Sequence, residues 1–81
     1  MTRLPRSLSG EELVRRLRKL EYRVIRQHGS HAVLKTPLAG GHLCFIPMHK
    51  AIKPGTLEDI LKGIAAGHGL RLNELLELLD L

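Results

Sequence analysis

The sequence predicts an α+β fold. It is a two-layer sandwich of order α-β-β-β-α with a short extra C-terminal helix, the helices lying on one face of a three-stranded antiparallel sheet. Three observations carry this expectation. A helix-start signal at Ser9 opens a run of apolar residues at helical spacing. Three short apolar runs between residues 22 and 46 are separated by Gly-Ser and Gly-Gly bends. A Pro-Gly break at 54–55 precedes two further leucine-rich stretches of helical period. Helices that bury one stripe against one face of a small sheet make a stable two-layer arrangement.

Residues 1–8 read as a short irregular lead. Ser9 is a good N-cap, and Glu12 three residues later completes a capping-box pattern. Leu13, Val14, Leu17 and Leu20 follow at helical intervals, with Arg15, Arg16, Arg18 and Lys19 on the other side, so a helix is expected over roughly 9–20. Tyr22 to Gln27 mixes Tyr22, Val24 and Ile25 with charged residues, as a half-buried strand does. Gly29-Ser30 signals a tight turn, and His31 to Thr36 forms the second strand. Pro37 to Gly41 is a loop, and His42 to Ile46 is an apolar third strand closed by Pro47. Thr56 is expected to cap the next helix, where Leu57, Ile60, Leu61 and Ile64 share a face. Gly67 and Gly69 end that helix. Leu72, Leu75, Leu76 and Leu79 repeat the pattern in a short acidic last helix that is expected to be mostly core.

At 81 residues the chain is expected to be one domain, residues 1–81. A chain this short buries only roughly 60% of its unfolded surface, so catalysis would need an open site and few residues. The lone Cys44 forbids an internal disulfide and points to a reducing compartment, the cytoplasm. No stretch approaches the roughly 18 apolar residues of a membrane span, and the basic N-terminus is followed by no apolar core of a signal peptide. The net charge is +5, and it is uneven. The first forty residues carry nine Lys and Arg against three Asp and Glu, and the remainder four against five. Such a basic half favours a polyanionic partner such as nucleic acid. Only Tyr22 and Phe45 are aromatic, which weighs against a base-stacking platform and predicts a grip mainly on phosphates.

Among the five histidines, His31 stands at the exit of the Gly29-Ser30 turn. A free imidazole has a pKa of about 6.5 and can take and give protons at neutral pH. RNA cleavage asks for that ability: one group takes the ribose 2′-OH proton and another protonates the leaving 5′-oxygen. RNA supplies its own nucleophile, so a small site without metal or cofactor suffices. His49 is a candidate second acid or base. It precedes Lys50 and Lys53, and the following helix start, with Gly55 and Thr56, offers free N–H groups to a phosphate. Arg26 and Lys35, on the first two strands, are candidates to stabilise the charged transition state. His28-x-x-His31 and His42-x-Cys44 could together supply four zinc ligands, but neither is a familiar zinc spacing, and no metal site is expected.

The residues Gln27-His28-Gly29-Ser30-His31, then Pro47-Met48-His49-Lys50, then Lys53-Pro54-Gly55-Thr56-Leu57-Glu58-Asp59-Ile60-Leu61-Lys62 resemble, in this order, the HicA toxins of HicA–HicB toxin–antitoxin pairs. The resemblance covers roughly residues 9–65. It implies a fold like a double-stranded-RNA-binding domain, metal-independent cleavage of mRNA, and a histidine in the Gly29-Ser30-His31 turn, His31, that toxicity requires. It implies that a HicB-like antitoxin covers this site. Gly29 and Ser30, where the glycine bend leaves room for a large ligand, are candidate RNA-binding residues. Two features depart from the family pattern: Met48 stands where a basic residue is usual, and Ala65 to Gly69 makes a longer turn. A non-catalytic RNA-binding module and an inactive toxin kept as a protein-interaction partner are the alternative readings.

Overall fold

The computed structural model describes residues 4–5 and 7–81. Met1 to Arg3 and Arg6, part of the expected irregular lead, lie outside the described residues. The elements are α1 (Gly10–Leu17), β1 (Arg23–His28), β2 (His31–Lys35), β3 (Leu43–Pro47), α2 (Pro54–Gly67) and α3 (Leu72–Leu78). The strands form one antiparallel sheet of order β1-β2-β3, as expected.

Ser9 caps α1, its hydroxyl accepting from Glu12 N at 3.0 Å. The expected capping box is only half made, because the Glu12 carboxylate turns outward to Arg15 and Arg16. The predicted helix over 9–20 also divides: Arg18–Leu20 tighten into a 3-10 turn that ends at Glu21 in a left-handed conformation. The second helix begins earlier than expected. Pro54 takes its first position, where a missing N–H costs nothing, so Thr56 lies inside the first turn and does not cap it. In α3, the Glu74 carboxylate accepts from Arg71 N at 2.8 Å.

Alternation along β2 and β3 divides the sheet. Ala32 and Leu34 pair with Ile46 and Cys44 on the side that faces the helices, and all four are buried. His31, Lys35, Leu43 and Phe45 are exposed on the opposite side, and Val33 there is half-buried. Both α1 and α2 lie against β3, and α3 lies against α2. The shared core runs from Leu8 through Leu13, Leu17, Leu34, Ile46, Leu57, Leu61 and Ile64 to Leu75 and Leu79. The C-terminus is tied back to α1, where the Arg16 guanidinium donates to the carbonyls of Leu79 and Asp80 and Lys19 pairs with Asp80.

The expectation of a half-buried first strand is corrected. Every residue of β1 is exposed, including Val24 and Ile25. It is the outer strand on one side, and its register breaks between Val24 and Arg26, where Ile25 is left out of the pairing. Tyr22, just before it, is the residue that enters the core.

The Tyr22 hydroxyl lies 2.7 Å from His42 Nδ1 and 2.9 Å from His68 Nε2. The longer turn expected over Ala65 to Gly69 is corrected: α2 runs on through Ala65 and Ala66 to Gly67, so that His68, its cap residue, comes over Tyr22 and Gly67 lies against the His42 ring. One hydroxyl proton serves one ring nitrogen, and the other ring's N–H serves the hydroxyl oxygen. Burial, and then the charge of His42, hold the His68 pKa below its ordinary 6.5. The folded protein therefore takes up this proton less readily than the unfolded chain. Stability fully present above the unfolded value is lost as pH falls from there through the lower, folded value. The urea midpoint should drop between about pH 7.5 and pH 5.5, and His68→Gln should flatten that slope. The carboxylates of Glu12 and Asp80, with pKa values below 4.5 and 3.8, titrate outside this window. An equal midpoint at both ends of the window would refute the account.

Candidate active site

The site is built where the β1–β2 turn meets the segment between β3 and α2. The turn has two residues. Gly29 takes the first with φ +54°, a conformation that favours glycine, and His28 and His31 face each other across it. A Cβ on Gly29 would meet nothing within 4 Å, so the glycine serves the bend and not a close approach. Residues 48–52 are stitched to two neighbours. Met48 N donates to the Ser30 carbonyl, Gly10 N donates to the His49 carbonyl at 3.0 Å, and Ile52 N donates to the Leu8 carbonyl at 2.8 Å. Met48, at the position where a basic residue was expected, is partly buried against the core. His49 is left exposed beside the turn.

These ties bring together two histidines far apart in sequence. The His31 and His49 rings lie edge to face, 6.5 Å between centroids. They share a cavity of about 350 Å³ with Phe45, Lys53 and Thr56, floored by Pro47, Ile52 and Ile60. The start of α2 adds to it. Lys53 is the cap residue and makes no side-chain capping bond. No acid lies in the first turn, so the helix end presents its partial positive charge there without a neighbouring carboxylate.

The other sequence candidates divide. Gly29 and Ser30 shape the turn beside His31. Arg26 pairs with Val33, two rows along the sheet from His31 and on the same, open face, where it is exposed. Lys50 is exposed in the His49 segment but does not line the cavity. Lys35 is set apart: it closes the far end of β2, paired with Arg23 and Leu43, four residues from His31, or roughly 13 Å along the strand. The electrostatics of the region are one-sided. Between Tyr22 and Leu57 the chain has no Asp or Glu, against Arg23, Arg26, Lys35, Lys50 and Lys53.

His28 and His31 do not join His42 and Cys44. His42 is engaged with Tyr22. Cys44 is buried on the helix-facing side of the sheet, where burial pushes its thiol up to about 12. Among the described residues no three His, Cys, Asp or Glu side chains gather as a metal site would need. A larger groove of about 470 Å³ lies at the outer edge, between Val14, Arg18, Glu21 and Val24. Its ionisable groups are one carboxylate, two guanidiniums and the Tyr22 phenol, whose ionisation burial opposes, so it offers no pair poised to exchange protons near neutrality.

Phe45 is the residue that sequence reasoning missed. It reads as core within an apolar run, yet it is 62% exposed at the cavity. The signal was present in the alternation, since Cys44 and Ile46 on either side face inward.

Among the described residues no helix is long and apolar enough to cross a membrane. No curated protein and no solved structure matches the chain. The model of the family described as "HicA toxin of bacterial toxin-antitoxin" matches residues 10–64, from the first residue of α1 into the last turn of α2, and so spans the Gly29-Ser30 turn, His49 and the α2 start. With more than half of its length matched, and the predicted α+β architecture in place around that stretch, the chain belongs to the HicA toxin family.

Proposed function

We propose that this toxin is a metal-independent endoribonuclease acting on mRNA, with His31 and His49 as its acid–base pair. HicA toxins are typically mRNA interferases. The observation that carries the reading here is the approach of the two imidazoles to 6.5 Å at the mouth of a cationic cavity. A hydrogen bond to a reacting oxygen spans about 2.6–3.2 Å, so one phosphodiester seated across the two neighbouring rings can reach both. One imidazole takes the proton of the ribose 2′-OH as its oxygen bonds to phosphorus. The P–O5′ bond breaks, and the other imidazole gives its proton to the departing oxygen. Lys53 and the free amides of Gly55 and Thr56 receive the phosphate oxygens, and Lys50 and Arg26 extend the positive field. Lys35, at the far end of β2, suits the path of the strand and not the reacting phosphate. The reading includes a HicB-like antitoxin that silences the toxin by covering this face. The cytoplasm, where mRNA is found, is its place of action.

The chemistry fixes the products. Cleavage should leave a 2′,3′-cyclic phosphate and a 5′-hydroxyl, continue undiminished in EDTA, and stop when the nucleotide 5′ of the cut carries a 2′-deoxyribose. Mass spectrometry of the fragments checks all three. Cleavage of the deoxy-substituted strand, or a 5′-phosphate end, would overturn this mechanism. Intact RNA after long incubation with folded protein would favour a binding module without catalysis.

A further inference from the structure

We propose that Phe45 is a stacking seat for an unpaired base beside the cleaved phosphodiester, so that the toxin takes single-stranded RNA drawn across the open face of its sheet. This rests on the ribonuclease reading above and adds to it the form of the substrate.

Position is the first argument. The ring is the most exposed of the large apolar side chains on the open face, and it belongs to the same cavity as His31, His49, Lys53 and Thr56. A phosphate seated in this cavity against the two histidines and the α2 start therefore puts an attached nucleoside within reach of the Phe45 ring. The cavity, about 350 Å³, falls in the range of roughly 300–1,000 Å³ usual for small-ligand sites.

Charge is the second. Phe45 pairs with Val33, and Val33 with Arg26, in one cross-strand row. At about 4.8 Å per strand, Arg26 stands roughly 10 Å from Phe45 on the same face. Arg23 and Lys35 pair in a neighbouring row, and none of the three strands contains an acid. An apolar ring on a sheet whose charged residues are all cationic fits a ligand that alternates flat π-surfaces with negative charges, which is what a single polynucleotide strand offers. A duplex keeps its bases stacked on one another and cannot lend one to the ring without unpairing. Phenylalanine has no polar edge to read a base, so the seat selects strandedness far more than sequence.

The chain has no tryptophan, so Phe45→Trp introduces a single indole. Placed in a His31→Ala background, which keeps RNA uncut, its emission should be quenched by a single-stranded oligoribonucleotide. An oligomer of equal length with abasic central residues, or the same sequence as a duplex, should quench it far less. In the otherwise wild-type toxin, Phe45→Leu should lower kcat/KM on the intact oligomer roughly ten-fold. It should cost little on the abasic one, where the stack is already gone. Equal quenching by intact and abasic strands, or full activity of Phe45→Leu, would overturn the proposal. Emission that ignores RNA but shifts with the co-expressed antitoxin would overturn it too, and would give the ring to the protein partner. If the wild type cuts no RNA, the ribonuclease reading falls, while quenching in the uncut complex still reports on the base seat.

Discussion

His31→Ala is expected to slow RNA cleavage by roughly 10²–10⁴-fold, the usual loss when a positioned acid or base is removed. It should also abolish toxicity on expression without the antitoxin. The fold should hardly notice. His31 is exposed at the first position of β2, and the strand's anchors in the core are Ala32 and Leu34. Surface changes of this kind stay within about 0.5 kcal/mol, so the urea midpoint should be unchanged and a loss of activity cannot be laid to unfolding. His49→Ala tests the partnership. Groups that act as one unit are strongly non-additive, so the double variant should be little slower than the slower single variant. Equal growth and equal mRNA decay with and without the His31 imidazole would end the assignment.

How much of this could be read from the sequence differs from element to element, for physical reasons. The start of α1 was legible because an N-cap is a local event: Ser9 and Glu12 are three residues apart and need nothing else. The start of α2 was misplaced because Pro54 and Thr56 both mark a helix start, and the structure gives the first position to the proline. The exposure of β1 was hidden because alternation tells which side chains share a face but not whether a helix covers it, and both long helices settle against β3 at the other side of the sheet. The Tyr22, His42 and His68 cluster joins three distant segments, and no periodicity links them. His31 and His49 could be named as a candidate acid and base, but their closeness depends on the hydrogen bonds that fasten residues 48–52 to Ser30 and Gly10. That Phe45 faces outward was in reach, since Cys44 and Ile46 are natural inward neighbours, but an apolar run suggests burial of all its members.

Gly10→Ala should be the most damaging small change in the molecule, and it separates packing from helix propensity. In a helix alanine is favoured over glycine by about 0.8–1.0 kcal/mol, and Gly10 is the first residue of α1, so propensity alone predicts a gain. The surroundings reverse it. A Cβ at this position would lie 2.1 Å from the Pro47 carbonyl oxygen and 2.8 Å from Met48 Cα, both backbone atoms that cannot turn aside. Either α1 or the end of β3 must move. Overpacking of this kind costs about 1–3 kcal/mol, which in a chain this short lowers Tm by roughly 4–8 °C per kcal/mol. The movement falls on the Gly10–His49 backbone bond, so His49 shifts against His31. A misplacement of about 1 Å can cost 10²-fold in rate, and cleavage should fall even at temperatures where the variant is fully folded. Gly63→Ala is the counterpart. Gly63 lies in the middle of α2 with nothing within 4 Å of a Cβ, so there the propensity gain stands, and Tm should rise with cleavage unchanged. Thermal melts and single-turnover cleavage of the two variants decide the matter. If Gly10→Ala stabilises the protein as Gly63→Ala does, the close contact between α1 and the His49 segment is not what holds the two histidines together.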